Sequence, residues 1–471
     1  MGRALQIYSY LPPSVRSIGA SIQGARLRAW RYGSNTEELV AKALERDHWS
    51  SEQWATWQKR RLHDLLHRAV TSVPYYRSLW ADRRRRGDHS SWEELENWPI
   101  LEKESLRANP TAFLADDVGV RFMKQVHTSG TTGTSLDLWR SRNTEREWYA
   151  LFEARCRSWH GVSRHDRWAI LGGQLVTPVR QRRPPFWVWN AALKQLYMSS
   201  YHLAPDLLPH YLEALKNYRI SYLLGYPSAL YELALEALRS KSRDLRMSVV
   251  LANAEPVFDY QRQAIEEAFQ CPVRETYGMA EIAAAASECE QGQLHLWPEV
   301  AWIEVFTDVG RLTKGSSGDL ICTGLLNADM PLIRYRIGDR VSVPEANTAC
   351  SCGRALPALA SVEGRTDDTL YTTDGRRVGR LDPAFKSQLP IREAQIIQET
   401  LDRVRVRYVP TSEFNQAVTR SITERLQARL GPLEVILERV DEVPRTSNGK
   451  FRAVVCNLPT ELKESLRQAV A

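Results

Sequence analysis

Long apolar runs are missing from this sequence of 471 residues. No run reaches the roughly 18 residues that a membrane-spanning helix needs, so a transmembrane protein is not predicted. Residues 1–33 lack a continuous apolar stretch and a clear cleavage site, which argues against a signal peptide and leaves an amphipathic surface segment as an alternative. Cysteine is scarce: seven thiols, an odd number, are spread thinly along the chain. Such cysteine usage is typical of a reducing compartment, and we therefore expect a cytoplasmic protein.

The sequence also lacks internal repeats and extended low-complexity tracts. Its 43% hydrophobic and 25% charged residues are ordinary for a globular protein, and its length predicts two or more domains. Lys and Arg outnumber Asp and Glu by 63 to 56. This surplus suits an anionic ligand such as a nucleotide or coenzyme, but also nucleic acid or a membrane surface. We interpret the densest basic run, RRRRG at 83–87, as a solvated loop and not as a nucleic-acid patch.

The first 110 residues are predicted to be mainly helical. Ser50 and Gln53 have the spacing of a capping box, and Trp54 and Trp57 begin a broad apolar face that we interpret as core.

From about residue 165, short apolar strands alternate with helices, which predicts a parallel sheet covered by helices. The segments are RWAILGG, ISYLLGYPSALYELALEAL and MSVVLANAEPVFDYQRQAIEEAF. In such sheets ligands bind beyond the carboxyl ends of the strands. The segments GYP (225–227) and NAEP (253–256) each follow a strand, so both are candidates for a binding crevice.

A domain boundary is predicted near the polar residues 361–379. Beyond it the order is β-α-β: strand VRVRYV, the amphipathic helix EFNQAVTRSITERLQARLG, and strand LEVILERV. We therefore predict a large amino-terminal domain, a polar hinge and a small carboxy-terminal domain.

Residues 127–135, HTSGTTGTS, combine two glycines with six hydroxyl side chains. Glycine lets the backbone turn sharply, and many short donors on a pliable loop form a concavity suited to phosphate oxygens. A Walker A loop is excluded, because the GxxxxGK[ST] spacing is absent. Composition alone leaves open whether the segment binds phosphate or is a surface loop.

The order of residues in this loop resembles the phosphate-binding loop of the adenylate-forming superfamily of acyl-CoA synthetases and related ligases. Four further segments resemble that superfamily in the right order: ETYGMAE (275–281), IRYRIGDRV (333–341), EGRTDD (363–368) and PRTSNGKFR (444–452). Each is weak alone, but five in order, from 127 to 452, form a specific pattern.

Within the superfamily, the chain resembles the phenylacetate–CoA ligase branch, including its capsule-biosynthesis-associated homologues. The segments are SVPYYR (72–77), NAEPVF (253–258), GDLICTGLLNADMPLIRYRIGD (318–339) and CSCGR (350–354). One departure is that Ser135 and Leu136 follow Thr134, where many members continue with proline and lysine. One pyrophosphate contact is thereby removed.

The resemblance implies an α/β fold. A large multi-subdomain amino-terminal domain with helix-covered sheets would be joined to a small mobile α+β carboxy-terminal domain. Residues 1–110 would form a mainly helical segment of the large domain, 111–365 its nucleotide- and acid-binding core, and 366–471 the small domain.

The resemblance also implies the site residues. The phosphates of ATP would be held by Thr128, Ser129, Gly130, Thr131, Thr132, Gly133 and Thr134. Tyr277, next to Gly278, would stack on adenine, whose edge would be lined by Ala254, Glu255 and Pro256. Asp339, with Arg365 nearby, would bind the ribose hydroxyls.

Three residues would serve catalysis. Glu281 would hold Mg²⁺ on the phosphates, Lys450 would neutralise charge at the α-phosphoryl group, and Asp367 would be the hinge. Taken alone, such residues could equally be solvated or turn residues.

The reaction implied is activation of a carboxylic acid by ATP to an acyl-adenylate, followed by transfer to coenzyme A. Two alternatives are transfer to an amine, hydroxyl or carrier protein, and a non-catalytic protein that binds nucleotide. We expect an aryl or other apolar acid, from the resemblance and from Trp187, Trp189, Tyr222 and Tyr226, which could also be core residues. The partners would be the acid, ATP and coenzyme A, without nucleic acid, in a monomer or homodimer.

Four residues indicate a structural zinc site. Cys289 and His295 lie six positions apart, and Cys350 and Cys352 two apart, in polar, turn-rich segments. Three cysteines and a histidine are a common tetrahedral ligand set, although the spacing is not that of a standard finger and free thiols are the alternative. The segments VAWIEVF (300–306) and GDLICTGLL (318–326) are strands that could pair and bring the two loops together.

Overall fold

The structure, a computed structural model, describes most of the chain. The described ranges are 11–127, 136–174, 176–178, 181–204, 206–240, 244–307, 310–312, 317–345, 350–365, 370–372, 377–378, 389–445 and 451–468. The predicted phosphate-loop residues 128–134, Asp367 and Lys450 lie outside these ranges, and of Arg365 only the backbone is described.

Helices and strands alternate through the described residues. The helices are α1 Pro13–Arg31, α2 Thr36–Arg46, α3 Ser51–Ser72, α4 Pro74–Arg85, α5 Lys103–Ala108, α6 Arg142–Phe152, α7 Leu208–Asn217, α8 Pro227–Arg239, α9 Asp259–Phe269, α10 Gln416–Leu430 and α11 Thr460–Gln468. The first strands are β1 Lys124–His127, β2 Asp137–Arg140, β3 Trp168–Gly172, β4 Trp187–Asn190, β5 Gln195–Ser199, β6 Tyr222–Gly225, β7 Val249–Asn253, β8 Val273–Gly278, β9 Ala285–Glu288, β10 Leu294–Leu296 and β11 Ala301–Thr307. The others are β12 Gly310–Leu312, β13 Ser317–Gly324, β14 Tyr335–Ser342, β15 Ala358–Leu359, β16 Ser361–Arg365, β17 Leu370–Tyr371, β18 Arg377–Val378, β19 Ile391–Thr400, β20 Arg403–Pro410, β21 Glu434–Arg439 and β22 Val454–Cys456. No helix in the described part of the chain combines the length and apolar character that a membrane span requires.

The amino-terminal helices start where the sequence predicts. The Ser50 side chain accepts a hydrogen bond from the Gln53 N–H, and the Gln53 side chain accepts one from the Ser50 N–H, so the capping box of α3 is confirmed. Trp54 is buried, as predicted, and Trp57 packs against the core. The basic run was predicted to be a loop, and this is wrong. Arg83–Arg85 form the last turn of α4, where cations interact favourably with the helix dipole.

A nine-stranded sheet, in the order β15-β10-β9-β8-β7-β6-β3-β5-β4, is the centre of the large unit. Its strands β5, β3, β6, β7 and β8 are parallel, and β8, β9, β10 and β15 continue the sheet in antiparallel order. Helix α8 follows β6 and α9 follows β7, so the predicted alternation of strand and helix is confirmed. Because β6, β7 and β8 are parallel, their carboxyl ends meet at one edge.

A second sheet, β12-β11-β13-β14-β16, is antiparallel. The predicted pairing of the segments 300–306 and 318–326 is confirmed by β11 and β13. Strand β14 bulges: Arg336 and Arg340 pair with Ile321 and Asp319, so three residues of β14 oppose one of β13. Gly338, with φ at 82°, adopts the left-handed conformation that such a bulge favours. On the far side of β14, Asp339 lies opposite Arg365 of β16.

A four-stranded sheet, β21-β20-β19-β22, forms the carboxy-terminal unit with α10 and α11. The predicted β-α-β order is confirmed, because β20 and β21 are parallel and α10 connects them. Val418, Ile422 and Leu426 are buried from the apolar face of α10. This unit therefore has a core of its own, centred on the helix and the inner strands. The α/β fold class with a small α+β unit is as predicted.

Candidate functional site

Three predicted site segments converge at the carboxyl edge of the parallel strands. Tyr226 follows β6, Ala254–Pro256 follow β7, and Tyr277 and Gly278 end β8. The register pairs Gly225 with Ala252 and Asn253 with Thr276, so the three strand ends are adjacent. The sheet topology therefore brings together residues that lie about 50 positions apart in the sequence.

The two sheets meet at Tyr277 and Asp339. The Tyr277 hydroxyl donates a hydrogen bond to Asp339 Oδ2 over 2.6 Å. Burial, together with the neighbouring Asp339 carboxylate, raises the pKa of Tyr277 well above its ordinary value, so the hydroxyl stays a donor. The bulge of β14 removes Asp339 from regular pairing with β13, and its side chain meets Tyr277.

Glu281 lies one turn beyond β8. The Tyr335 hydroxyl donates to Glu281 Oε1 over 3.2 Å, so the strand that carries Asp339 also orients the carboxylate predicted to bind magnesium. Ile282, the next residue, has φ at 51°, a conformation that is unfavourable for a β-branched side chain. The turn after β8 is therefore held by its surroundings in a shape that the local sequence does not prefer.

The predicted phosphate loop connects β1 to β2, which pair in antiparallel register from Lys124↔Arg140 to His127↔Asp137. The loop residues are outside the described part of the chain, but both of its ends are described. The Arg140 guanidinium donates to the carbonyl oxygen of Ala280 and, over 2.8 Å, to Glu145. This contact ties the hairpin to the turn that carries Glu281. Sequence reasoning missed both Arg140 and Tyr335, because nothing local distinguishes them from other arginines and tyrosines.

Asn253 is a further residue that the sequence motifs did not single out. Its side-chain oxygen is buried and has no hydrogen-bond partner among the described residues. An unsatisfied buried acceptor costs about 1–3 kcal/mol, and this one ends β7 beside Thr276, at the same sheet edge as Tyr277. Ala254, the next residue, has φ at 65°, a sparsely populated conformation found preferentially at binding sites.

Glu255 contacts both units of the chain. One carboxylate oxygen accepts from the Ser228 N–H at the start of α8, and the other accepts from the Phe451 N–H in the carboxy-terminal unit. Burial raises the pKa of Glu255, although the two backbone N–H groups oppose that shift. The side chain predicted to line the adenine edge is thus engaged with protein backbone on both sides.

The aromatic residues proposed for the acid pocket have different surroundings. Tyr222 is fully buried, stacked on Trp168 and bonded to Arg157, so it is a core residue. Trp189 packs beside α1, at the edge of the sheet. Tyr226 lies at the carboxyl edge, and Trp187 begins the antiparallel strand β4 opposite Met198, near the carboxyl end of β5.

Tyr197 and Tyr201 lie near Tyr226. The Tyr201 hydroxyl donates to the Gly173 carbonyl over 2.8 Å, and the Tyr197 hydroxyl accepts from the Gln174 N–H over 3.1 Å. The Tyr226 hydroxyl interacts with the Gly173 backbone. These three tyrosines, which we call the tyrosine cluster, surround the end of β3.

The four predicted zinc ligands lie together. Their ligand atoms are all within 4.8 Å of one another, although the residues span positions 289 to 352. Cys289 Sγ is 3.7 Å from Cys350 Sγ, and Cys352 Sγ is 3.4 Å from His295 Nε2. A tetrahedral zinc with Zn–S bonds of about 2.3 Å would place sulfurs about 3.8 Å apart and sulfur about 3.6 Å from nitrogen. The donor set therefore fits zinc in kind and in spacing.

The backbone around this cluster also orients the histidine for metal binding. His295 Nδ1 lies 3.2 Å from the Leu356 carbonyl oxygen, which directs Nε2 toward the cysteines. Burial lowers the pKa of His295, which favours the neutral imidazole that binds metals. The loops meet because β10 pairs with β9 and β15, with Leu294 opposite Leu359. Strands β11 and β13 do pair, as expected. The two ligand loops, however, are brought together directly by the shorter strands β9, β10 and β15.

The carboxy-terminal unit matches a family model. Residues 370–457 match the model described as the CapK C-terminal domain. Over 463 residues the chain is 23% identical to Protein CapK of Staphylococcus aureus, covering 96% of this chain and 99% of that protein. Over 455 residues it is 25% identical to a phenylacetate-coenzyme A ligase of Thermus thermophilus, covering 86% and 96%. The chain is therefore similar over most of its length to CapK and to phenylacetate-coenzyme A ligase. The resemblance found in the sequence motifs is confirmed.

Solved structures agree on the fold. The 2-hydroxyisobutyryl-CoA ligase in the postadenylation state, in complex with R3-HIB-AMP, superposes with a TM-score of 0.67 at 21% identity, covering 90% of this chain and 94% of that chain. The same ligase in the thioesterification state, with the same coverage and identity, gives 0.53. The chain therefore has the fold of the adenylate-forming ligases.

Proposed function

We propose that this protein activates a carboxylic acid with ATP and transfers the acyl group to coenzyme A. The observation that carries the proposal is the convergence of Tyr277, Asp339 and Glu281 at one sheet edge. The Arg140–Ala280 contact joins this edge to the hairpin of the predicted phosphate loop. Support comes from relatives that are named phenylacetate-coenzyme A ligases.

In the first half-reaction a carboxylate oxygen attacks the α-phosphorus of ATP, and the bond to the β-phosphate oxygen breaks. The products are acyl-adenylate and pyrophosphate. Since two anions must meet, the protein contributes mainly positioning and neutralisation of charge. Residues 128–134 would hold the phosphates, Asp339 with Arg365 the ribose, and Lys450 the charge at the α-phosphoryl group. Glu281 would bind Mg²⁺, which supplies positive charge beside the phosphates.

In the second half-reaction the thiol sulfur of coenzyme A attacks the acyl carbonyl. A C–S bond forms, AMP leaves, and the thiol loses its proton. Lys450 serves only the first step, so the carboxy-terminal unit would turn about Asp367 and present another face.

The tyrosine cluster supports an aryl or other apolar acid. The hydroxyls of Tyr197 and Tyr201 are bonded to backbone, so their rings offer mainly apolar surface to a ligand at the end of β3. Tyr226 follows the adjacent strand and extends this surface toward Glu255.

An acid screen tests the function. Pyrophosphate release is measured with pools of aryl, aliphatic and hydroxy acids, with and without coenzyme A, and acyl-CoA is measured by mass spectrometry. We expect turnover with apolar acids and a thioester product only when coenzyme A is present. Turnover restricted to small hydrophilic amino acids would contradict the substrate class. Pyrophosphate release without a thioester would favour an amine, hydroxyl or carrier-protein acceptor. ATP binding without pyrophosphate release would indicate a non-catalytic protein.

We further propose that Asn253 reads the adenine base. Its unpaired Oδ1 suits the 6-amino group of adenine, a donor, whereas hypoxanthine carries an acceptor there. Wild-type protein should prefer ATP to ITP, and Asn253→Ala should lower that preference about tenfold, the factor of one hydrogen bond. The measurement is kcat/KM for both nucleotides.

Asn327 provides the matched control for Asn253. Its Oδ1 is also buried without a described partner, but its amide nitrogen is bonded to the Trp139 carbonyl within the core. Asn327→Ala should leave the ratio of ATP to ITP unchanged. An equal change in both variants would refute the role of Asn253.

We also propose that Cys289, His295, Cys350 and Cys352 bind one structural Zn²⁺. Four protein ligands close a tetrahedral site and leave no position for a catalytic water. The fit of the observed donor distances to tetrahedral geometry supports this assignment.

A further inference from the structure

Among the described residues, Glu255 forms a direct hydrogen-bonded link between the two units. Its carboxylate lies between the backbone N–H of Ser228, at 3.0 Å, and that of Phe451, at 2.6 Å. Ser228 belongs to the first turn of α8, a helix of 13 residues. Phe451 belongs to the other unit and directly follows Lys450.

The carboxylate is held by favourable electrostatics on both sides. The amino terminus of α8 carries partial positive charge, and hydrogen bonds from N–H groups to a carboxylate are stronger than those to a neutral acceptor. If the carboxy-terminal unit moves away, the Phe451 N–H leaves and the carboxylate keeps only Ser228. The contact thus stabilises one arrangement of the units relative to all others.

Other polar contacts lie close to this link. Arg392 lies 3.7 Å from Glu232 of α8, across the same interface. Arg445 pairs with Glu393 and lies 4.7 Å from the centre of the Phe451 ring, within the carboxy-terminal unit. Among these contacts between described residues, the Glu255 hydrogen bond is the one that fixes the peptide nitrogen next to Lys450.

We propose that Glu255 is a positioning residue that holds the segment of Lys450 in place for adenylation. This inference rests on the proposed function, since it assigns a role to a residue of the same site. It differs from the role expected from the sequence, in which Glu255 lines the adenine edge.

The test separates the two half-reactions. Glu255→Ala should lower kcat for adenylation about 10- to 100-fold, the factor of one hydrogen bond to a charged group, with KM for ATP little changed. The reaction of supplied acyl-adenylate with coenzyme A should be unchanged or faster, because that step does not need the closed arrangement. Glu255→Gln, which keeps the volume but offers one acceptor oxygen in place of two, should fall between wild type and alanine.

Hydrogen exchange gives a readout that does not depend on activity. The Phe451 amide, measured by mass spectrometry on overlapping peptides that begin at or before residue 449, should exchange at least about tenfold faster in Glu255→Ala than in wild type. Glu232→Gln is the matched control: it removes a carboxylate from the same interface and should leave both the Phe451 exchange and the ratio of half-reactions unchanged.

Each contrary outcome is distinct. Equal loss in both half-reactions would indicate a general structural role, and a raised KM for ATP with unchanged kcat would return Glu255 to the adenine site. Unchanged Phe451 exchange would overturn the contact itself. If wild-type protein adenylates no acid, the proposed function fails, whereas faster exchange in Glu255→Ala would still support the link between the units.

Discussion

Replacing Lys450 by alanine is expected to slow adenylation about 100- to 1,000-fold, the usual cost of removing one group aimed at transition-state charge. The motif PRTSNGKFR puts this lysine in the carboxy-terminal unit, and the hydrogen bond from Phe451 to Glu255 fixes the next residue at the nucleotide edge. Because the lysine is proposed to serve only attack on the α-phosphorus, the reaction of supplied acyl-adenylate with coenzyme A should keep its wild-type rate. Rapid-quench measurement of each half-reaction checks this.

Lys463 supplies the matched control for Lys450. It lies in α11 of the same unit, and its ammonium donates to the Cys456 carbonyl, so Lys463→Ala removes an equal charge away from the site. Adenylation by this variant should stay within about twofold of wild type, as for most surface changes. Equal slowing of both half-reactions in Lys450→Ala would reject the assigned role.

Removing the proposed zinc is expected to lower the thermal stability of the protein. A metal present at 1,000 times its Kd stabilises a folded protein by about 4 kcal/mol, so the unfolding midpoint should fall by several degrees. Cys350→Ser combined with Cys352→Ser should reduce zinc from one per chain to none. Elemental analysis of protein purified without added metal, followed by calorimetry, measures both effects.

Substitutions of the cluster cysteines distinguish the stability contributed by a bound metal from the stability contributed by side-chain packing. Cys350 and Cys352 are only partly buried, so serine at these positions costs little by itself. A chelator should destabilise wild-type protein by the same amount as the double substitution and have no effect on the variant. Cys271, buried outside the cluster, gives the control, because Cys271→Ser should keep its zinc. Metal-free wild-type protein with full stability would remove the site from consideration.

Local patterns in the sequence predicted much of the fold. The capping box at Ser50, the strands that end at Gly225 and Asn253, and the helix Gln416–Leu430 all follow from spacing and periodicity within short windows. The basic run at 83–87 was misread, because a cluster of arginines is compatible with either a helix end or a loop.

The contacts of the site depend on topology, which short windows do not contain. Tyr277 and Asp339 belong to different sheets, and their contact needs the bulge at Gly338. The order of the motifs identified both residues through resemblance, but it did not predict that one donates a hydrogen bond to the other. Glu255 and Phe451 lie 196 positions apart, and nothing in either segment indicates the partner. Asn253 stands out only through a missing hydrogen bond, which requires coordinates.

The pairing of β14 with β16 places the predicted ribose site close to the predicted hinge. Asp339, predicted to hold the ribose, lies opposite Arg365, two positions before the predicted hinge Asp367. In any rotation, points close to the pivot travel least, while points far from it sweep wide arcs. A turn about the proposed hinge at Asp367 would therefore leave the ribose site almost in place while more distant parts of the carboxy-terminal unit move. Both half-reactions can then use an adenylate that stays in place. The first half-reaction gives way to the second because a different surface of the carboxy-terminal unit faces the adenylate.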